Sequence, residues 1–478
     1  MAAAILAMEH FNQRNSSVVP QLSRAEFRTC PYLFDLQTSR FFDTGTVGHL
    51  AAQSYWPIAA AEGPPPCAIA GPFDDDPAVD LAVLAEASQV PMVAQRSFNL
   101  QVVSVPSGNY SSMVFPTPIA LAQVMSLFFN STGRTNYTSV LYPSSFLGTQ
   151  LRETIILQLE IDGFSWFSEN FLPPQSGRIP GVNSIETSLA ELKDRGFRTI
   201  FVAMDNPDQE LPVIAAAAQQ LGMNNGDFFW LWFGNFDFQH LYSDDPNIIA
   251  ILFGSAWISP LDPFFLTFND PFQAAMASQG PEFVDRVNAA NPIRQGEPGF
   301  EEAGPDFFNF SSHLEFGESY MYDAVMSIGI GACLAQQEPN GTLSGAAHVD
   351  GIRAAQFIGA SGSVSFSNAG EYAGARVPRG ALWAVLNFAP SIPISVDSSV
   401  RIPYVYYPEN QSWVSLDAFL YADGTETPPP LRNMPSQNYL SQGLRILGFC
   451  LMALVLASSV LTAIFVFVNR NHRVLRAA

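Results

Sequence analysis

A chain of 478 residues is too long for one small domain, and its 48% hydrophobic content supplies real cores, so two globular lobes plus a further segment are expected. The formal net charge of −21 argues against nucleic acid and anionic membrane surfaces as partners of the bulk of the chain. Four scattered cysteines exclude a disulfide-stapled module.

The opening AAAILAMEHFNQRN spaces Ile5, Met8 and Phe11 as one face of an amphipathic helix, with Glu9 and His10 in its polar gaps. It lacks the basic patch, apolar core and cleavage site of an export signal, so the sequence reads as beginning inside its fold. YLFDLQ (32–37) reads as a strand, 47–55 as a helix, and the prolines at 64–66 as a turn. CAIAG (67–71) is a short apolar strand that enters the loop 72–77, which carries Asp74, Asp75 and Asp76. That acidic run reads either as a solvated loop with one helix N-cap or as a seat for a cation or ammonium group. Leu81, Leu84, Ala85 and Ser88 then repeat at helical spacing, and PMVAQ (91–95) is the next strand. Strand, loop, helix and strand in this order argue a parallel sheet with helices on both faces.

The alternation restarts after the turn FPTP (115–118). Helices are expected at 120–129, 148–161, 184–195 and 209–221, and strands at 137–142, 199–204, 228–233 and 248–253. Gly196 and Gly222 stand where two of these helices end. The aromatic run 228–233 reads as sheet core. Helices at 272–289 and 317–336 follow, and FIGASGSVSFSNAG (357–370) alternates like a hairpin. Residues 404–441, rich in proline and aromatics, read as a short β-like piece and a stalk.

The expected fold class is therefore α/β, with two doubly wound parallel-sheet lobes and one C-terminal transmembrane helix. The first lobe takes 1–117 and a return at 254–350. The second takes 118–253 and most of a closing segment at 351–403. A juxtamembrane stalk at 404–441 leads to the span.

That span is 446–468, 23 residues without a charge. As a helix it covers about 34 Å, enough for a hydrocarbon core of about 30 Å. Arg470, Arg473 and Arg476 follow it, which predicts a cytoplasmic tail at 469–478 and an extracellular N-terminus at the plasma membrane. Seven glycosylation sequons precede the span, at Asn15, Asn109, Asn130, Asn136, Asn309, Asn340 and Asn410. Cys30 and Cys67 are the expected disulfide; Cys333 and Cys450 read as small buried hydrophobes. The chain carries no GxxxxGK[ST], HExxH or GxSxG motif and no spaced Cys/His set, so neither an enzyme nor a cofactor or metal is expected.

Several segments resemble one family of receptor ectodomains. AILAMEHFNQRN is similar to the first helix of the type I periplasmic-binding-protein (Venus-flytrap) fold, and AGPFDDDPAVDLAVLAEASQVPMVAQ resembles its strand, loop, helix and strand across the ligand cleft. YMYDAV is similar to a late helix of the first lobe, and FIGASGSVSFSNAGE to a Phe-x-Gly-x-x-Gly-x-Val-x-Phe segment. The resemblance covers about residues 2–400. FLYADGTETPPPLRNMP runs into the span without a cysteine-rich module, and IFVFVNRNHRVLRAA resembles a first transmembrane helix with its inner loop. Together these resemble the GABA-B-like branch of class C G-protein-coupled receptors, truncated after the first transmembrane helix.

The resemblance implies a small polar, amino-acid-like ligand closed between the lobes, a homo- or heterodimer, and a G protein if seven helices exist in the full protein. It carries ligand contacts onto Phe73, Asp74, Gln95, Arg96 and Ser97 in the first lobe, and Tyr142, Phe146, Asp205 and Asn235 in the second. In the first-lobe cluster only Ser97 keeps a hydroxyl, while Arg96 reads as either a bidentate carboxylate anchor or a structural ion pair. Asn235 stands where the family pattern carries an aromatic. Tyr322 and Asp323 read as packing and capping groups. Two alternatives keep the fold: a single-span natriuretic-peptide-type receptor ectodomain, and a membrane-anchored solute-binding protein.

Overall fold

The computed structural model describes residues 1–37, 66–72, 75–104, 109–135, 138–174, 182–234, 245–261, 271–291, 302–304, 317–336, 343–368, 370–377, 380–388, 400–408, 410–428 and 442–468. The chain divides into one unit at 1–431 and a second at 432–478. The first is a mixed α/β structure with two parallel-dominated sheets.

The small sheet has the order β1-β2-β3, with β1 (Ile69–Ala70), β2 (Met92–Ala94) and β3 (Ser111–Met113) all parallel. Parallel neighbours need a crossover, and between β1 and β2 it is helix α3 (Asp75–Ser88). The large sheet has eight strands in the order β13-β12-β11-β8-β7-β6-β4-β5. Its parallel part comprises β4 (Thr138–Pro143), β5 (Trp166–Phe171), β6 (Thr199–Ala203), β7 (Phe229–Phe233) and β8 (Ala256–Pro260). Helices α5 (Phe146–Ile161), α6 (Ile185–Asp194), α7 (Pro207–Gln220) and α8 (Pro246–Leu252) connect these strands. The sheet is extended antiparallel by β11 (Trp383–Phe388), β12 (Val400–Tyr407) and β13 (Ser412–Ser415).

Strand β7 shows why the aromatic run is core. Phe229, Leu231 and Phe233 face one hydrophobic cluster, and Trp230 and Trp232 the other. Alternation along a strand buried on both faces needs apolar residues at every position. Trp230 and Trp232 stack with centroids 5.3 Å apart.

Helix α11 (Glu318–Gln336) organises the region around the small sheet. Helix α1 (Ala2–Gln13) packs on it so closely that a side chain at Gly329 would meet the Phe11 ring at 2.5 Å. His10, expected in a polar gap, is buried, and its Nδ1 lies 2.8 Å from the Tyr322 hydroxyl. Burial holds the His10 imidazole down at about 4. The next residue, Asp323, is fully buried, and its carboxylate accepts the N–H groups of Ala360 (2.7 Å) and Ser361 (2.8 Å) and the Ser361 hydroxyl. That pins the turn between β9 (Gln356–Gly359) and β10 (Gly362–Ser365), an antiparallel hairpin as its alternation predicts. Arg376, also buried, donates to Ser361 Oγ (2.7 Å), Ser363 O (2.7 Å) and Val114 O (2.8 Å). Burial pushes the Asp323 carboxyl up to about 6, while the Arg376 charge and the hydrogen bonds from Ser361 and Ala360 pull it down. Asp323 and Tyr322 thus serve packing and hydrogen bonding inside the fold.

Several expectations change. The disulfide joins Cys30 to Cys333, not to Cys67, which is an exposed free thiol. The Arg14 guanidinium holds the carbonyls of Cys30 (2.6 Å) and Tyr32 (2.9 Å), and packing of α1 on α11 then brings Cys30 within 5.5 Å of Cys333 between α-carbons. Residues 248–253, read as a strand, lie mostly in helix α8: Asp245 caps it by accepting the Asn247 N–H, and Pro246 starts it. The strand follows at β8. The expected helix 272–289 is two helices, α9 (Pro271–Ala277) and α10 (Pro281–Ala290), interrupted before Gly280-Pro281. Residues 32–37 pair with no described strand; instead Asn12 exchanges two side-chain hydrogen bonds with the Phe34 backbone. The helix expected at 47–55 lies outside the described residues.

The β-like piece expected after 404 joins the large sheet, as the end of β12 and as β13. The Asn387 amide donates to Leu420 O and accepts from Leu420 N, at 3.0 and 2.9 Å. Arg134 lies over the Phe229 ring at 3.9 Å and the Tyr421 ring at 5.5 Å.

In the second unit, helix α13 (Gln442–Val468) contains a 19-residue stretch, Cys450–Val468, of mean hydropathy 2.6, exposed throughout. By length and composition it can cross a membrane. The hydroxyls of Ser458, Ser459 and Thr462 bond to carbonyls of their own helix, so they need no neighbouring helix for satisfaction.

Candidate functional site

In open sheets of this type ligands bind outside the carboxyl ends of the parallel strands. The carboxyl ends of the two sheets meet in this molecule. Phe98, just past β2, packs on Phe233, the last residue of β7, with centroids 4.9 Å apart. Two residues on, the Leu100 N–H donates to Gln150 Oε1 on α5 at 3.2 Å.

The segment after β2 is held from several sides. Gln95 is buried and its Nε2 donates to Gly317 O at 2.9 Å. Arg96 is half-buried. Ser97 is fully buried, and its hydroxyl donates to Asp75 Oδ1 at 2.7 Å. The N–H groups of Phe98 and Asn99 reach the same oxygen at 2.5 and 2.9 Å. Asn99 in turn accepts the Gln101 N–H at 2.9 Å. Asp75 is the first residue of α3, so the acidic run is neither wholly loop nor simply solvated: one of its carboxylates crosses to the next strand tip. Phe73 and Asp74 lie outside the described residues.

On the large sheet, β4 ends in Tyr142 and Pro143, and the Ser145 hydroxyl caps α5 by accepting the Gly148 N–H at 2.9 Å. A side chain at Gly148 would meet Pro143 O at 2.2 Å, so only glycine lets the helix start this close to the strand. This places Phe146, which is 55% exposed, on the same helix as Gln150 and one turn before it. Tyr142 is half-buried, and burial raises its phenol above the ordinary range. Asp205 follows the neighbouring strand β6, and its N–H donates to Glu210 Oε2 at 3.0 Å. Glu210 is buried in the first turns of α7; burial, with Asp205 adding to it, pushes its carboxyl up to about 8. It is therefore mainly protonated at neutral pH. Asn235 lies outside the described residues.

The structure thus gathers Gln95, Arg96 and Ser97 on one sheet edge and Tyr142, Phe146 and Asp205 on the other. The Phe98–Phe233 contact joins these edges. Phe98, Gln150 and Glu210 are not among the sequence candidates, and Asp75 and Phe233 enter only through the acidic and aromatic runs. Asp75 and Glu210 had a local signal, an acid within the opening turns of a helix. The partners of Phe98 and Gln150 lie far away in sequence and left none.

Among the sequons, Asn109, Asn130 and Asn410 are exposed and Asn15 is half-buried, whereas Asn136, Asn309 and Asn340 lie outside the described residues. Among the described residues no group of three or more His, Cys, Asp or Glu is arranged to hold a metal ion. No protein-family model matches the chain, and no curated protein matches it.

Proposed function

We propose that residues 1–431 are the ligand-sensing region of a GABA-B-like class C receptor, with the two sheets as the cores of two lobes that close on a small, polar, amino-acid-like ligand. The observation that carries this reading is the meeting of the two carboxyl edges through Phe98 on Phe233. Polar groups flank it on both sides. A ligand that bridges them favours the closed arrangement by its differential affinity for the two states. The apolar helix anchors this region at the plasma membrane. The arginines after it and the sequons before it support an extracellular N-terminus. Dimerisation and G-protein coupling belong to the same proposal.

Thermal-shift titration of the full chain in detergent with GABA, glycine and L-glutamate tests it. A saturable rise in Tm that is lost in Phe233→Ala is expected. No response to any amino-acid-like ligand would sink the reading.

A further inference from the structure

We infer that Asp75 is a built-in ligand: its carboxylate fills an anion seat at the β2 tip, made of the Ser97 hydroxyl and the N–H groups of Phe98 and Asn99, and closes that seat to free carboxylates. Three donors on consecutive residues converge on the single atom Oδ1, at 2.7, 2.5 and 2.9 Å. Convergent N–H and O–H donors are what a small-molecule carboxylate needs, and a charged acceptor makes each bond stronger than a neutral one would. Ser97, Phe98 and Asn99 are all buried. Without an anion there, the buried Phe98 N–H would lose its acceptor, at the desolvation cost of an unpaired donor, and the Asn99 N–H would keep only Ser97 Oγ at 3.3 Å. The next N–H, of Leu100, is already given to Gln150, so the tip offers a newcomer no replacement from that group.

Tethering decides the competition. A carboxylate fixed on the adjacent helix has an effective concentration far above that of a dissolved amino acid. Its place in the first turn of α3 adds a favourable interaction with the helix dipole. Phe98, inside the seat, is also the residue that meets Phe233. The internal carboxylate thereby orders the very tip through which the sheets touch. If the sensing role proposed above holds, on which this consequence rests, an amino-acid-like ligand is read at this edge by groups other than the 97–99 donors.

Chemical rescue tests the seat without any knowledge of the natural ligand. Full-length Asp75→Ala is melted in sodium formate and in sodium chloride of equal ionic strength, beside the wild type. The variant should melt below the wild type in chloride and recover several degrees in formate, while the wild type shows no formate-specific change. Hydrogen exchange of the peptide covering 95–101 should slow in formate only in the variant. Asp75→Ser, whose hydroxyl suits a helix start, is read by the same formate-against-chloride difference should the alanine variant fail to fold. The inference is overturned if the variants melt like the wild type in chloride, or if formate gives no recovery beyond chloride. Because formate reports on the seat alone, this outcome is independent of whether any amino acid binds the wild type.

Discussion

Replacing Cys30 and Cys333 together by alanine removes the one long-range covalent link among the described residues. The bond spans a sequence separation of 303. For a loop of that size the chain-entropy estimate is about 5–6 kcal/mol at 25 °C, and measured losses of native disulfides run about 2–5 kcal/mol. The lower range is the better expectation, because a reduced, unfolded chain retains residual structure that the chain-entropy estimate leaves out. Cys67→Ala is the control: the thiol is exposed and free, so its loss should stay within about 0.5 kcal/mol. The assay is urea unfolding of the full chain in detergent, followed by tryptophan fluorescence, with peptide mapping under non-reducing conditions. The double variant should lose midpoint stability and the map should link the peptides of Cys30 and Cys333. A Cys30–Cys67 linked peptide, or a Cys67→Ala loss equal to that of the double variant, would refute the reasoning.

Asp323→Asn places an amide where the carboxylate accepts two N–H groups and a hydroxyl, and leaves buried Arg376 without its counter-charge; a loss of about 3–5 kcal/mol is expected by thermal or urea melting, and an unchanged melt would count against it. Glu210 is held at about 8 against an ordinary 4.5, so the folded state binds the extra proton between those values, and the stability present below pH 4.5 is lost as pH rises through 8. His10, held at about 4 against 6.5, acts the opposite way: its contribution is present above pH 6.5 and lost as pH falls through 4. The window from pH 6.5 to 8 therefore isolates Glu210, and Glu210→Gln should flatten a fall in Tm that the wild type shows there; parallel profiles for the two proteins would be the contrary result. Leu456→Lys, within the apolar stretch Cys450–Val468, should cost about 2.5–3.5 kcal/mol of membrane insertion and raise the share of protein released by alkaline extraction.

Local pattern alone determined much of this molecule. Apolar runs bounded by glycine and proline marked β1, β2, β4, β6 and β7, and 3.6-residue spacing marked α3, α4 (Pro118–Ser131), α5, α6, α7 and α11. The apolar helix at the C-terminus was legible from length and charge, and the hairpin from its alternation. Short segments misled for a physical reason. IIAILF (248–253) has neither the length nor the period to separate a strand from a helix, and the decision fell to a capping aspartate and a proline before it. Strand β5 and the helix Gly345–Ala354 went unread. In β5, WFSENF mixes aromatic and polar residues on a half-buried edge, so its alternation is weak.

Tertiary structure decided the cysteine pairing and the character of the strand tips. Which cysteine meets Cys30 depends on how α1 packs against α11, a contact between segments about 300 residues apart. Ser97 read as a hydroxyl open to a ligand, because its type and place suit one. Only the folded chain brings Asp75 within 2.7 Å of it. A side chain's chemistry is written in the sequence, but whether it is free or already spent depends on distances that close only when the elements pack.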